Sequence, residues 1–176
     1  MSLQVCLLGF GEVGQALAVD FGARGLSSLA AWDVLFTVAD SPPRRAIAGK
    51  AVRAAANVED AVANADLVIS AVTAAQDVAA ARCVVPHLKR HAYFLDVNSV
   101  SPGVKVEVSQ IVEAASGRYV ESAIMSPINP QRAASRSSRP GTFCSRLPIV
   151  RRAVRAPRKG CAWPRMSRMQ RPAPIS

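Results

Sequence analysis

The run QVCLLGFGEVGQ, from Gln4 to Gln15, decides the fold. Gln4–Leu8 is short, largely apolar and uncharged, which reads as a buried parallel strand. Gly9, Gly11 and Gly14 follow at the spacing G-x-G-x-x-G. From Glu12 to Arg24 the residues Val13, Ala16, Leu17 and Phe21 return to one helical face, and Gly25 supplies a stop. Glycines cluster in many turns, so the spacing gains meaning only from this strand–turn–helix context. Within it each glycine has a job. Gly9 permits a tight turn, Gly11 lets backbone approach a pyrophosphate, and Gly14 lets the helix pack closely on the strand. The helix N-terminus then faces the phosphate charge. The run predicts a dinucleotide site that uses Gly9, Phe10, Gly11, Val13 and Gly14; the alternative is the same unit without a ligand.

Downstream, Leu29–Trp32 reads as a second strand ending at Asp33, 19 residues after Gly14. A carboxylate there accepts hydrogen bonds from adenosine ribose hydroxyls and repels a 2′-phosphate, so NAD is expected in preference to NADP. Arg44 and Arg45 in the next loop are within reach of such a phosphate, but a solvated loop pair is expected. Ser41-Pro42-Pro43 is expected to break the chain, and Ala51–Ala54 to form a third strand. Asn57 caps a short helix through Ala63, with Glu59 and Asp60 in its first turn. Strands follow at Leu67–Val72, Tyr93–Val97 and Tyr119–Ile124, with helices at about Ala75–Val85 and Val104–Ala115 between them. This alternation, with crossovers long enough for parallel pairing, predicts an α/β fold with a Rossmann-type doubly wound parallel sheet over residues 1–130.

In open α/β sheets ligands bind beyond the carboxyl ends of the strands. Val72 and Thr73 leave the fourth strand there, where the nicotinamide half would lie. Asn98 and Ser99 leave the fifth, offering an amide and a hydroxyl to cofactor or substrate; for Ser99, loop capping and ligand contact both stay open. His87 and His91 precede the fifth strand, at its amino end, and are expected at the surface away from the site.

Three stretches resemble the β-hydroxyacid dehydrogenases, the family of 3-hydroxyisobutyrate and 6-phosphogluconate dehydrogenases. They are the GFGEVGQ turn, Asp96-Val97-Asn98-Ser99-Val100-Ser101-Pro102, and Tyr119–Pro127. The second resembles the family's D-x-[ST]-[ST]-x-x-P run, with Asn98 in place of a hydroxyl residue. The third departs from the family's substrate loop D-x-x-V-S-G-G. Aligned without gaps, Glu121 takes the acid's place, Ile124 the valine's and Met125 the serine's. Ser126 offers a hydroxyl one position later, and Pro127 has no N–H to donate. The resemblance implies hydride transfer between a nicotinamide cofactor, NAD or NADP, and a small hydroxyacid, with Ser99 and Ser126 on the substrate. It also implies a helical domain with a proton-transferring lysine in a G-x-x-x-K-x-x-N run. Nothing after residue 130 matches that run, and Lys159 is the only lysine there. No catalytic residue is assigned, and binding without turnover is expected. A non-catalytic nucleotide-binding module is the alternative.

Charge divides the chain in two. Residues 1–130 hold 10 of the 22 Lys+Arg and all 12 acids; residues 131–176 hold the remaining 12 basic residues and no acid. In that second part Arg, Pro, Ala and Ser make up 29 of 46 residues, without apolar periodicity. Such a composition buries too little surface to offset its ordering entropy. Three readings stay open for residues 131–176: a disordered basic tail, a nucleic-acid-binding arm, and translation out of frame. The last is preferred, because the residues have G/C-rich codons and the family's fold should continue there. A nucleic-acid partner is not expected, since only Phe143 and Trp163 offer stacking surfaces and no RGG or RS repeat is present. Cys6, Cys83, Cys144 and Cys161 form no C-x-x-C pair and suit neither a zinc site nor a disulfide framework, so the cytoplasm is expected and a metal is not. No run has the length of a membrane span, no targeting signal is read, and the oligomeric state is left open.

Overall fold

The computed structural model describes residues 3–122 and 124. Six strands form one parallel sheet: β1 (Val5–Leu8), β2 (Leu29–Trp32), β3 (Arg53–Ala54), β4 (Leu67–Ser70), β5 (Tyr93–Asp96) and β6 (Arg118–Glu121). Their spatial order is β3-β2-β1-β4-β5-β6. β1 pairs with both β2 and β4, Leu8 lying opposite Trp32 on one side and Ser70 on the other. The strand order therefore reverses at β1, and the crevice beyond β1 and β4 is the switch point of a Rossmann-type α/β fold.

Five helices cross between strands: α1 (Glu12–Ala23), α2 (Pro42–Ile47), α3 (Val58–Val62), α4 (Asp77–Val84) and α5 (Pro102–Ala114). Both faces of the sheet are covered, which is why β1 is apolar throughout and β4 and β5 turn polar only at their carboxyl ends, at Ser70 and Asp96. Val5, Leu7, Ile69 and Leu95 pack with Leu17 and Phe21 of α1. Cys6, Leu8, Val68 and Phe94 face the other way, onto Val84 of α4 and Val108 and Val112 of α5. Burial pushes the Cys6 thiol up to about 12 and keeps it protonated.

The expected elements are present, with shifted ends. Leu17 and Phe21 are buried on α1 as the helical period requires, and the chain turns at Gly25 with a φ of +75°. Asn57 caps α3, its side chain accepting from the Asp60 N–H at 2.8 Å. Ser41-Pro42-Pro43 does not break the chain but starts α2. Ser41 Oγ accepts from the Arg44 N–H, and proline in the first turn lacks only an N–H that the helix would leave unpaired. Arg44 and Arg45 accordingly sit on a helix rather than a loop, exposed, with their guanidinium groups donating to the Phe36 and Asp40 carbonyls. β4 stops at Ser70, two residues before its expected end, and β6 at Glu121, three before. α5 begins at Pro102 rather than Val104, again with proline in the first turn.

Candidate functional site

The glycine turn lies at the switch point. Gly9 has a φ of +92°, and a Cβ there would stand 2.4 Å from the Ala71 carbonyl oxygen. The loops leaving β1 and β4 thus touch backbone to backbone, tied by Ala71 N–H donating to the Leu8 carbonyl at 2.8 Å. A Cβ on Gly14 would lie 2.3 Å from the Gly9 carbonyl oxygen, so α1 is packed against the turn it leaves. Gly11 differs: a Cβ there would meet nothing within 4 Å. Its missing side chain leaves open space at the N-terminus of a 12-residue helix, where N–H groups and the helix dipole favour an anion.

Phe10 enters this turn only through its backbone. Its ring is fully buried against Phe36, with centroids 5.9 Å apart. Its N–H donates to Asp33 Oδ2 at 2.7 Å, while Asp33 Oδ1 accepts from Leu35 N–H at 2.9 Å. Each carboxylate oxygen keeps a lone pair for a further donor.

Past the switch point, a cavity of about 250 Å³ is bounded by Val13 of α1, Val72 after β4, Asn98 and Ser99 after β5, and Ile124. A larger one of about 540 Å³ opens on the other side of Asn98 and Ser99, reaching Ser101 and Lys105 of the α5 end and Glu121. Asn98 and Ser99 are common to both. Thr73 is exposed, its carbonyl accepting from Gln76 N–H at the turn before α4. His91 is exposed and His87 half-buried at the amino end of β5, opposite these cavities. Ser126, Met125, Pro127 and the whole of residues 131–176 lie outside the described residues.

Beneath Asn98 is a buried polar cluster that periodicity alone did not single out. Asp96 Oδ1 accepts from Asn98 N–H at 2.9 Å and pairs with Lys105 Nζ at 2.8 Å. Asp96 Oδ2 accepts from the Tyr119 hydroxyl at 2.9 Å. Asn98 Nδ2 donates to Ser70 Oγ at 3.0 Å and to Asp77 Oδ1 at 2.8 Å. Asp77 and Asp96 are 0% exposed and Lys105 is 6%. Burial pushes the Asp77 carboxyl up to about 6, and the Asp96 charge adds to the effect. Burial, then the hydrogen bond to Asp96, holds the Tyr119 phenol far above its ordinary range. A signal for this cluster exists in the sequence. Lys105, Val108 and Val112 share one helical face, as do Asp77, Ala81 and Val84, so a charge stands in each apolar stripe.

Among the described residues no group of three or more His, Cys, Asp or Glu could hold a metal, and no helix is long and apolar enough to cross a membrane. Cys6 and Cys83 are free thiols.

Compared with known proteins, residues 4–126 match the family described as the NAD binding domain of 6-phosphogluconate dehydrogenase. No curated protein matches the chain by sequence. A solved conserved hypothetical protein from Sinorhizobium meliloti 1021 superposes with a TM-score of 0.68 at 33% identity, over 74% of this chain and 44% of that one. The 3-hydroxyisobutyrate dehydrogenase of Mycobacterium tuberculosis, solved with L-serine, gives 0.66 at 20% identity, over 77% and 45%. A conserved protein of unknown function, described as structurally similar to 3-hydroxyacid dehydrogenases, gives 0.62 at 26% identity, over 73% and 46%. The chain spans less than half the length of each of these structures.

Proposed function

This chain belongs to the family of the NAD binding domain of 6-phosphogluconate dehydrogenase, and on that premise we propose that it binds NAD(H) as the nucleotide half of a hydroxyacid oxidoreductase. The observation that carries the reading is the glycine turn: Gly9 is pressed on Ala71 and Gly14 on Gly9, while the place of a Gly11 side chain is open. In this reading Gly9, Gly11, Gly14, the backbone of Phe10 and Val13, and the first turn of α1 hold the pyrophosphate. Asp33 takes the adenosine ribose and disfavours a 2′-phosphate, so NAD is bound in preference to NADP. Val72, Thr73 and Asn98 border the nicotinamide half, and Ser99, with Ser126, meets a small hydroxyacid. A bound nicotinamide supplies the hydride donor or acceptor.

Hydride transfer from a hydroxyacid also needs a group to take the hydroxyl proton. Residues 1–176 contain no G-x-x-x-K-x-x-N run to supply it. The chain is therefore expected to bind cofactor without turning it over. The free thiols of Cys6 and Cys83 fit a reducing compartment, and we place the protein in the cytoplasm.

Titration with NADH, followed by nicotinamide fluorescence, is expected to saturate, with NADPH about tenfold weaker, the equivalent of one unfavourable charge contact. Gly11→Val adds a side chain whose Cβ meets nothing in the protein within 4 Å. It should keep the parent's melting temperature and lose NADH binding. Undiminished binding by this variant would refute the reading.

A further inference from the structure

The Asn98 side chain has one polar atom left over. An amide carries two N–H bonds, and both are taken, by Ser70 Oγ at 3.0 Å and Asp77 Oδ1 at 2.8 Å. The backbone N–H is taken by Asp96. Asn98 Oδ1 has no hydrogen bond among the described residues, and Asn98 forms part of the wall of both cavities. The opposite amide orientation would set Oδ1 against the Asp77 carboxylate, acceptor to acceptor, in a fully buried place. That contact costs free energy and leaves a carboxylate oxygen unsatisfied.

We propose that Asp77, assisted by Ser70, is a positioning residue that locks the Asn98 amide with its carbonyl oxygen toward the cleft. The cleft thereby selects a hydrogen-bond donor on the nicotinamide half of the dinucleotide. The proposal rests on the reading that this cleft holds a nicotinamide dinucleotide. Two donors of that half have the required chemistry, the carboxamide amino group and the ribose hydroxyls.

The lock holds while Asp77 is ionised, and also in the neutral form that carries its proton on Oδ2. Asp77 Oδ2 is buried without a hydrogen-bond partner. The charged groups bearing on this carboxyl are Asp96 of β5 and Lys105 of α5, with the Tyr119 hydroxyl of β6 beyond Asp96. A proton on Oδ2 leaves Lys105 and Asp96 as a balanced pair, and Oδ1 still accepts from Asn98. Asparagine at position 77 reproduces this protonated form, with an amide oxygen toward Asn98 and N–H bonds on the other side. Alanine removes the acceptor.

The test is binding of ADP, ADP-ribose and NADH to the full chain by calorimetry, for the parent, Asp77→Ala and Asp77→Asn. Asp77→Ala should weaken NADH about tenfold, the value of one hydrogen bond, and leave ADP unchanged. Asp77→Asn should stay within about twofold of the parent for all three. Loss confined to NADH assigns the contact to the carboxamide; loss shared by NADH and ADP-ribose assigns it to the ribose. Equal loss for all three ligands, or none, overturns the proposal. Should Asp77→Ala not fold, Ser70→Ala removes the other acceptor and should weaken NADH about threefold with ADP unchanged, under the same criteria. Failure of the parent chain to bind any of the three ligands would bring down the cofactor reading itself, before any variant is measured.

Discussion

Asp33 Oδ2 accepts a hydrogen bond from Phe10 N–H at 2.7 Å, joining the end of β2 to the turn that leaves β1. The same carboxylate accepts from Leu35 N–H at 2.9 Å and so starts the turn Val34–Thr37. The acid that spacing points toward a ribose therefore also shapes the glycine turn. Asp33→Ala strands the part-buried Phe10 N–H and leaves the exposed Leu35 N–H to water, and should lower unfolding free energy by about 1–2 kcal/mol. Urea denaturation measures this, and Asp33→Asn, which keeps one acceptor, should lose less. Equal stability of parent and Asp33→Ala would show that water replaces the carboxylate at no cost.

The glycines of α1 should respond in opposite directions. Gly14→Ala places a Cβ 2.3 Å from a backbone oxygen that cannot swing away, and should cost about 2–3 kcal/mol. Gly22→Ala sits in the same helix with nothing within 4 Å, and should add about 0.5–1 kcal/mol through helix propensity. Thermal unfolding of the two variants side by side checks both signs.

Removing the buried cation should be severe. Lys105→Met leaves the buried Asp96 and Asp77 without a positive partner among the described residues, a change that costs about 3–5 kcal/mol. The loss should be smaller at acid pH, where an added proton neutralises one of the acids. A loss that does not depend on pH between 4 and 8 would mean that packing of the lysine stem, not charge, is what matters.

Asp77 makes stability depend on pH in the less common direction for an acid. Its folded value of about 6 stands above the ordinary 3.8, so the folded chain binds more protons between these values. Its contribution to stability is therefore present below about pH 4 and falls away as pH rises through 6. Asp77→Asn removes this dependence. Relative to the parent, the variant should gain on the order of 2–3 kcal/mol between pH 4 and pH 7.5. Melting curves across that range test it; parallel profiles for parent and variant would be the contrary result.

Most of the fold is legible in the chain because a parallel sheet covered on both faces needs apolar runs, and Val5–Leu8 and Leu67–Ile69 are such runs. Asn57 was readable as a cap for the same local reason, a side chain bonded three residues ahead. Short-range signals fail where proline acts in two ways. Ser41-Pro42-Pro43 reads equally as a break or a helix start, and only the chain beyond it decides. Phe10 shows another limit. Its place in the glycine motif says that its backbone is in the turn, but its ring belongs to the core with Phe36, 26 residues later.

The sequence by itself determined the strand–turn–helix unit, the alternation of elements and the places of Gly9, Gly11, Gly14 and Asp33, because spacing along the chain is enough to specify them. Tertiary structure alone decided that Ser70, Asp77, Asp96, Asn98, Lys105 and Tyr119 meet. They come from β4, α4, β5, the loop after it, α5 and β6, and a buried charge is tolerated only where a partner from another element arrives to balance it.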